Sequence, residues 1–295
     1  MKTLLVIMVW LMIFSSVAAA QERTRPSFPV PLNHFYLSLD PETFAAIENS
    51  KFMRAEFAVF ERRTTVRTDK TYTGIYFYGL HTYFEFFDAS KQTEFKIGSS
   101  GVAFAIERPE GLKVLQARLA VAAPKLITRE YNGLQIPWFY MLDLENFFPN
   151  SVLDSWIMEY QSRFLAEWHP ETGRAKTGIR RERILQRYKA VLPNATQRPL
   201  FEDVIGLTIA ADGATIAKMK ELCENFGYRA SLDREATVLE GPDFALRLIP
   251  ETASARGIKQ VIFRVRRNPT GQSEFTFGPR SVLKFQHNGR AVWVF

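Results

Sequence analysis

One pattern constrains this chain more than any other: the order strand, helix, three strands is written twice in succession. "NHFYLSLD" alternates, with His34, Tyr36 and Ser38 on one face and Phe35, Leu37 and Leu39 on the other. "DPETFAAIENSKFMRAEF" opens with Asp40 as N-cap and Pro41 in the first helical turn, and carries helical apolar spacing. Strands follow in "AVFERRTTVR", "YTGIYFYG" and "TYFEFFDA", closing the unit near residue 88. "GVAFAIERPEGLKVLQARL" then restarts as strand and helix, "KLITREYNGLQIPWFYMLDLEN" supplies strands around an Asn132-Gly133 turn, and "SWIMEYQSRFL" adds one more. Overlaying the units sets "HFYLSLDP" on "VAFAIERP" and "YFEFF" on "IMEYQ", so that Glu85 falls opposite Glu159. Such self-similarity predicts two copies of one supersecondary unit around a shared core.

Beyond residue 170 the character changes. "GRAKTGIRRERILQRYKA" is strongly basic and predicts a solvated connecting helix within residues 171–198. A third strand-helix unit starts at "FEDVIGLTIAADGATIAKMKELCENFGY", followed by strands in "EATVLEG", "DFALRLIP" and "IKQVIFRVRR". A hairpin, "SVLKFQ" and "AVWVF", turns through Asn288-Gly289. The expected organisation is therefore residues 1–20 as leader, 21–170 as a two-unit domain, 171–198 as connector and 199–295 as a second, shortened domain. The fold class is α+β.

The leader is read from "MKTLLVIMVWLMIFSSVAAAQ": a positive Lys2, an apolar run to Ser15, and small residues ending at Ala20. That is the anatomy of an export signal, and its apolar run is shorter than the ~20 residues a spanning helix needs. The expectation is a periplasmic or secreted protein, with no stable membrane insertion after cleavage, existing as monomer or dimer. A single cysteine, Cys223, rules out an internal disulfide, and helical spacing beside Met219 and Phe226 predicts a buried, inert thiol. The net charge of +7 carries no interleaved aromatic motif of nucleic-acid binding, so no nucleic-acid partner is expected. The 25 phenylalanines concentrate in the strand-like runs and promise an aromatic core.

The chemistry centres on Glu85. A carboxylate between Tyr83 and Phe87, in an otherwise apolar strand, is costly to bury without a partner. Arg54, Arg62, Arg63 and Arg67 could pair with it, and His81 shares its face as a reserve ligand in a regular strand.

Repeated β-α-β-β-β units, with a histidine opening the first strand and an acid in the last, resemble the glyoxalase-like, vicinal-oxygen-chelate superfamily, and within it an exported bacterial family of unknown function. The resemblance rests on "NHFYLSLD", "HTYFEFFD" and "WIMEYQ" and extends more loosely over 199–295. It implies a cup into which four positions point: His34, Glu85, Val102 and Glu159. His34, Glu85 and Glu159 could then hold one divalent metal (Fe, Mn, Zn or Ni), while Val102 stands where metal-dependent relatives usually carry histidine. Two readings follow. In one, the cup is metal-free and binds a small, partly apolar ligand against Tyr36, Tyr83, Trp138 and Tyr140. In the other, the metal polarises vicinal oxygens in a glyoxalase- or dioxygenase-like reaction.

Overall fold

The computed structural model describes residues 28–91, 96–144, 147–148, 151–166, 177–193, 196–253 and 255–295. The leader expected over residues 1–20, with its expected cleavage after Ala20, lies outside these residues.

The first half follows the order read from the sequence. It runs β1 (Leu32–Leu39), α1 (Pro41–Glu48), a π-helical turn (Met53–Phe57), β2 (Val59–Val66), β3 (Thr71–Tyr78) and β4 (Tyr83–Asp88). Next come β5 (Ser100–Ala105), α2 (Gly111–Leu119), β6 (Lys125–Tyr131), β7 (Leu134–Asp143) and β8 (Leu153–Tyr160). Asp40 caps α1 through the Thr43 amide at 2.9 Å, with Pro41 behind it, as those residue types dictate. The strands form one eight-stranded sheet, β2-β3-β4-β1-β5-β8-β7-β6. β1 pairs with β4 and β5 with β8 in parallel, because each helix carries the chain back before the strands that follow it.

Two helices follow, α3 (Arg163–Ala166) and α4 (Arg181–Ala190). The second half comprises β9 (Phe201–Ala211), α5 (Gly213–Asn225), β10 (Arg229–Asp233), β11 (Ala236–Glu240), β12 (Ala245–Pro250), β13 (Gly257–Val265), β14 (Glu274–Phe277), β15 (Ser281–Gln286) and β16 (Arg290–Val294). It forms a second eight-stranded sheet, β10-β11-β12-β9-β13-β16-β15-β14. The spatial order matches the first sheet with one difference: no helix separates β13 from β14. The chain therefore reverses directly, and β16 runs antiparallel to β13 where β8 runs parallel to β5. Mixed α+β, strand-rich architecture with two large sheets is thus the fold.

The phenylalanines bind the sheets together. Phe84 of β4 lies 5.3 Å from Phe263 of β13 and 6.1 Å from Trp293 of β16, and Phe86 lies 5.3 Å from Trp293. Phe104 of β5 meets Phe226 at 4.9 Å. One continuous apolar cluster therefore draws on both sheets and on α1, α2 and α5. Cys223 is buried within it, 3.8 Å from the Met219 sulfur, and burial pushes its thiol far above the ordinary range.

α4 corrects a sequence expectation. Despite its charge it is no solvated connector: Arg181, Ile184, Leu185, Arg187 and Tyr188 are buried against the face of the first sheet turned away from the second. Its basic residues misled because arginine stems pack on aromatic surface while the charged heads find partners. Arg187 sits 3.6 Å over the Phe164 ring, and Arg181 bonds Glu107 at 3.0 Å and Asp243 at 2.8 Å. Arg181 thereby ties the helix to both halves.

Candidate functional site

Strand pairing decides which candidate residues meet. In the parallel β1–β4 pair, His34 lies beside Tyr83 and Tyr36 beside Glu85. The antiparallel β1–β5 pair sets Ala103 opposite His34 and Gly101 opposite Tyr36. His34, Tyr36, Tyr83, Glu85, Gly101 and Ala103 therefore share the outer face, away from the common core.

His34 and Glu85 do converge. Nε2 of His34 lies 3.6 Å from Oε1 of Glu85, and both residues are about 95% buried. Burial, reinforced by Arg67, pulls the imidazole down to about 3, so at neutral pH it is uncharged. Its Nδ1 lies 2.8 Å from Oδ1 of Asn33; that nitrogen carries the proton and Nε2 presents a lone pair towards Glu85. Burial likewise lifts Glu85 to about 7, despite the opposing pull of Arg63, Arg67 and Lys70. Those arginines are committed elsewhere. Arg63 donates to Glu61 and to the Tyr78 hydroxyl, both at 2.8 Å, and Arg67 forks onto Asp69 at 2.6 and 2.7 Å. The pair is therefore not a salt bridge but a neutral imidazole facing a carboxyl poised near half-protonation.

Aromatic rings frame it. Tyr83 stacks on the imidazole at 4.3 Å, and Trp156 meets it edge-on at 5.3 Å. Tyr36 and Trp156 lie 6.0 Å apart over Gly101, where a Cβ would collide with both rings. The indole nitrogen of Trp156 is buried and has no acceptor among the described residues. Sequence reading passed over Trp156 and Asn33; alternation in "SWIMEY" could have placed Trp156 once the register was known.

The other candidates part company with this pair. Glu159 lies on the opposite face, beside Ile157 and the common core. Its two carboxylate oxygens accept from the backbone N–H of Glu110 and of Leu112, each at 2.8 Å. It caps the N-terminus of α2, whose own N-cap, Glu110, sits at φ 60° and provides no side-chain cap. The reason is a one-residue slip in the overlaid units, which in a strand transfers every side chain to the other face. Val102 pairs with Phe35 and faces the core for the same reason. Tyr140 pairs with Glu159 and so shares its face rather than the outer one. His81 precedes β4; its Nδ1 binds Asp203 at 3.0 Å, and its backbone N–H donates to the same carboxylate at 2.7 Å, a link between the sheets. Trp138 is on the outer face but is covered by α4, its indole N–H donating to the Tyr188 hydroxyl at 2.9 Å. Tyr83 is also covered, with Tyr188 at 6.5 Å edge-on. Among the described residues no group of three His, Cys, Asp or Glu side chains is placed to hold a metal ion.

The fold and this site define a strand-rich α+β protein of paired eight-stranded sheets, carrying a buried imidazole–carboxyl pair framed by aromatics. The chain belongs to a family of unknown function, DUF5829, whose profile matches residues 32–295. No curated protein matches it. Among solved structures it is similar to a hypothetical protein from Staphylococcus aureus, at 11% identity and TM-score 0.52, over 90% of this chain and 98% of the other. It also aligns with a xylose isomerase-like TIM barrel/4-hydroxyphenylpyruvate dioxygenase fusion protein, at 9% identity and TM-score 0.44, covering 84% of this chain and 38% of that one. Among the described residues no helix is long and apolar enough to cross a membrane.

Proposed function

We propose that this protein is an exported, glyoxalase-like binding protein that takes a small, partly apolar ligand on the outer face of its first sheet, beside His34 and Glu85. The strand-helix-three-strand order in both parts of that sheet, and its parallel β1–β4 and β5–β8 pairs, support the glyoxalase-like reading. The observation that carries the binding reading is the buried Trp156 indole N–H, which lacks an acceptor beside the neutral imidazole. A buried donor left without a partner costs about 1–3 kcal/mol, and a ligand acceptor removes that cost. α4 covers the Tyr83 and Trp138 end of the face, whereas Trp156 stays half-buried at the other end. The ligand class is a planar molecule with an acceptor for the indole and a group able to share a proton with Glu85.

The metal-dependent alternative, with iron, manganese, zinc or nickel at His34, Glu85 and Glu159, does not fit these residues. Both oxygens of Glu159 are spent on α2, and the remaining pair offers only two ligands, one imidazole and one carboxyl near half-protonation. The test is thermal-shift and tryptophan-fluorescence titration against a panel of planar phenols and aromatic carboxylic acids. Binding should weaken at least about tenfold in Trp156→Phe, the loss of one hydrogen bond to a buried partner. A ligand bound equally well by Trp156→Phe and Glu85→Gln, or no ligand at all, overturns the site.

A further inference from the structure

A second site lies on the opposite side of α4. A recess of about 800 Å³ is walled by the end of that helix (Gln186, Lys189), by Thr196 and Arg198 of the following segment, and by Arg266 and Arg267 beyond β13. Four of its lining residues are cations and none is an acid. Among the described residues, none of these cations lies in an ion pair with a carboxylate within 4 Å. Acids do stand nearby, but they are engaged: Asp203 holds His81, Thr82 and, at 3.9 Å, Arg264, and Glu182 is 3.7 Å from Arg180.

Lys189 is held by its side chain and Arg266 at its backbone, while the Arg198, Arg266 and Arg267 side chains are exposed around the rim. The Lys189 ammonium donates to the Gly79 carbonyl at 2.8 Å, and the Arg266 backbone N–H donates to Leu200 at 2.9 Å. Arg198 precedes Pro199, which restricts its backbone. Burial and then Arg266 lower the Lys189 ammonium below its ordinary value, outweighing Asp203 and Glu182. Like charges gathered in a recess repel one another, and an anion that fills it relieves that repulsion. The simpler account, independently solvated side chains, predicts cations spread over a convex surface rather than converging on one hollow.

We propose that this recess binds a compact, multiply charged phosphate-class anion, an oligophosphate rather than a membrane. Guanidinium groups match phosphate oxygens in a fork, and three arginines with one lysine suit a chain of several phosphoryl groups. The recess is far larger than one orthophosphate. Its apolar lining is limited to Val59, Ala190 and Pro199, so it offers a bilayer no apolar wedge.

The experiment is calorimetric titration of the full chain with sodium tripolyphosphate at about 0.05 M salt, where screening is weak. Saturable binding is expected, with a raised unfolding temperature and a loss of affinity as salt increases. The exposed pair Arg266→Ala/Arg267→Ala should unfold at the wild-type denaturant midpoint yet bind tripolyphosphate at least about tenfold more weakly. Trp156→Phe should bind it unchanged, which separates this site from the ligand face. Three results overturn the proposal: no saturable heat, equal binding by the double variant, or capture by phosphatidylglycerol vesicles with no binding of tripolyphosphate.

Discussion

Trp138 donates its indole N–H to the hydroxyl of Tyr188 at 2.9 Å, and this bond fastens β7 to the helix that covers the sheet. Tyr188 also stacks on Tyr78 at 5.3 Å, so its ring and its oxygen serve different contacts. Tyr188→Phe should keep the ring contacts but leave the buried Trp138 N–H without its acceptor, about 1–3 kcal/mol, whereas Tyr188→Ala should cost about 3–5 kcal/mol through the cavity it opens as well. Urea midpoints check both. Equal losses would show that the ring is not packed as described.

Glu159 caps α2 rather than lining a site, so its replacement should reduce stability and leave ligand binding intact. Glu159→Gln keeps one acceptor and should cost about 1–3 kcal/mol, with Glu159→Ala at or above the upper end. A variant that unfolds like wild type but loses ligand would reverse the assignment.

The His34–Glu85 pair should leave a distinctive pH signature. Glu85 binds its proton more tightly in the fold, at about 7 against 4.5, so its contribution is present below 4.5 and is lost as pH rises to about 7. His34 binds its proton less tightly, at about 3 against 6.5, so its contribution is present above 6.5 and is lost as pH falls towards 3. Between 4.5 and 6.5 the two slopes oppose each other. Glu85→Gln should therefore steepen the rise of stability with pH across that window, and His34→Gln should reverse it. Chemical denaturation from pH 4 to 8 reads both effects; parallel curves for wild type and variants would show that burial does not shift these two groups as described.

Arg181 is 8% exposed at its side chain and joins α4 to Glu107 of the first half and Asp243 of the second. Removing one partner of a buried pair costs about 3–5 kcal/mol, but both carboxylates keep partial exposure, so Arg181→Met should cost nearer 2 kcal/mol. Trypsin should also cut the connector faster. An unchanged cleavage rate would mean that other contacts hold α4.

Export predicts a mature chain starting at Gln21, after the small residues ending at Ala20. Intact-mass measurement on protein from the exported fraction checks it, and a mass retaining Met1 would exclude cleavage.

Much of this architecture was legible because its signals are local. The period-two runs containing Phe35 and Phe84 and the Asp40-Pro41 start of α1 all appear where alternation and capping put them. β10 and β14 were passed over: "RASLD" is exposed along its length, and "EFTF" is four residues long. The register between units was harder, since it depends on pairing across strands rather than on sequence along them. One residue separated the overlay from the pairing that places Ala103 opposite His34, and that step moved Glu159 and Val102 to the far face. The burial of α4 was invisible because "RERILQRYKA" has a polar composition, while its cover comes from Trp138 and Phe164, distant in the chain.

The missing helix between β13 and β14 has a consequence for how the protein is made. The strands that lost their own cover rest on material from the start of the chain: Phe275 of β14 stacks on Phe52 at 3.7 Å, and Gly278 approaches Thr43 of α1 so closely that a Cβ would overlap it. During synthesis α1 and the turn after it emerge first, so the last quarter arrives at a template that already exists. Severed from residues 40–60, the C-terminal hairpin would lose its lid and would present Phe275 and Phe285 to water. Losing the hairpin would in turn bare Phe84, Phe86 and Phe263, which pack on Trp293, so the two ends of the chain complete one core and truncation at either should be poorly borne.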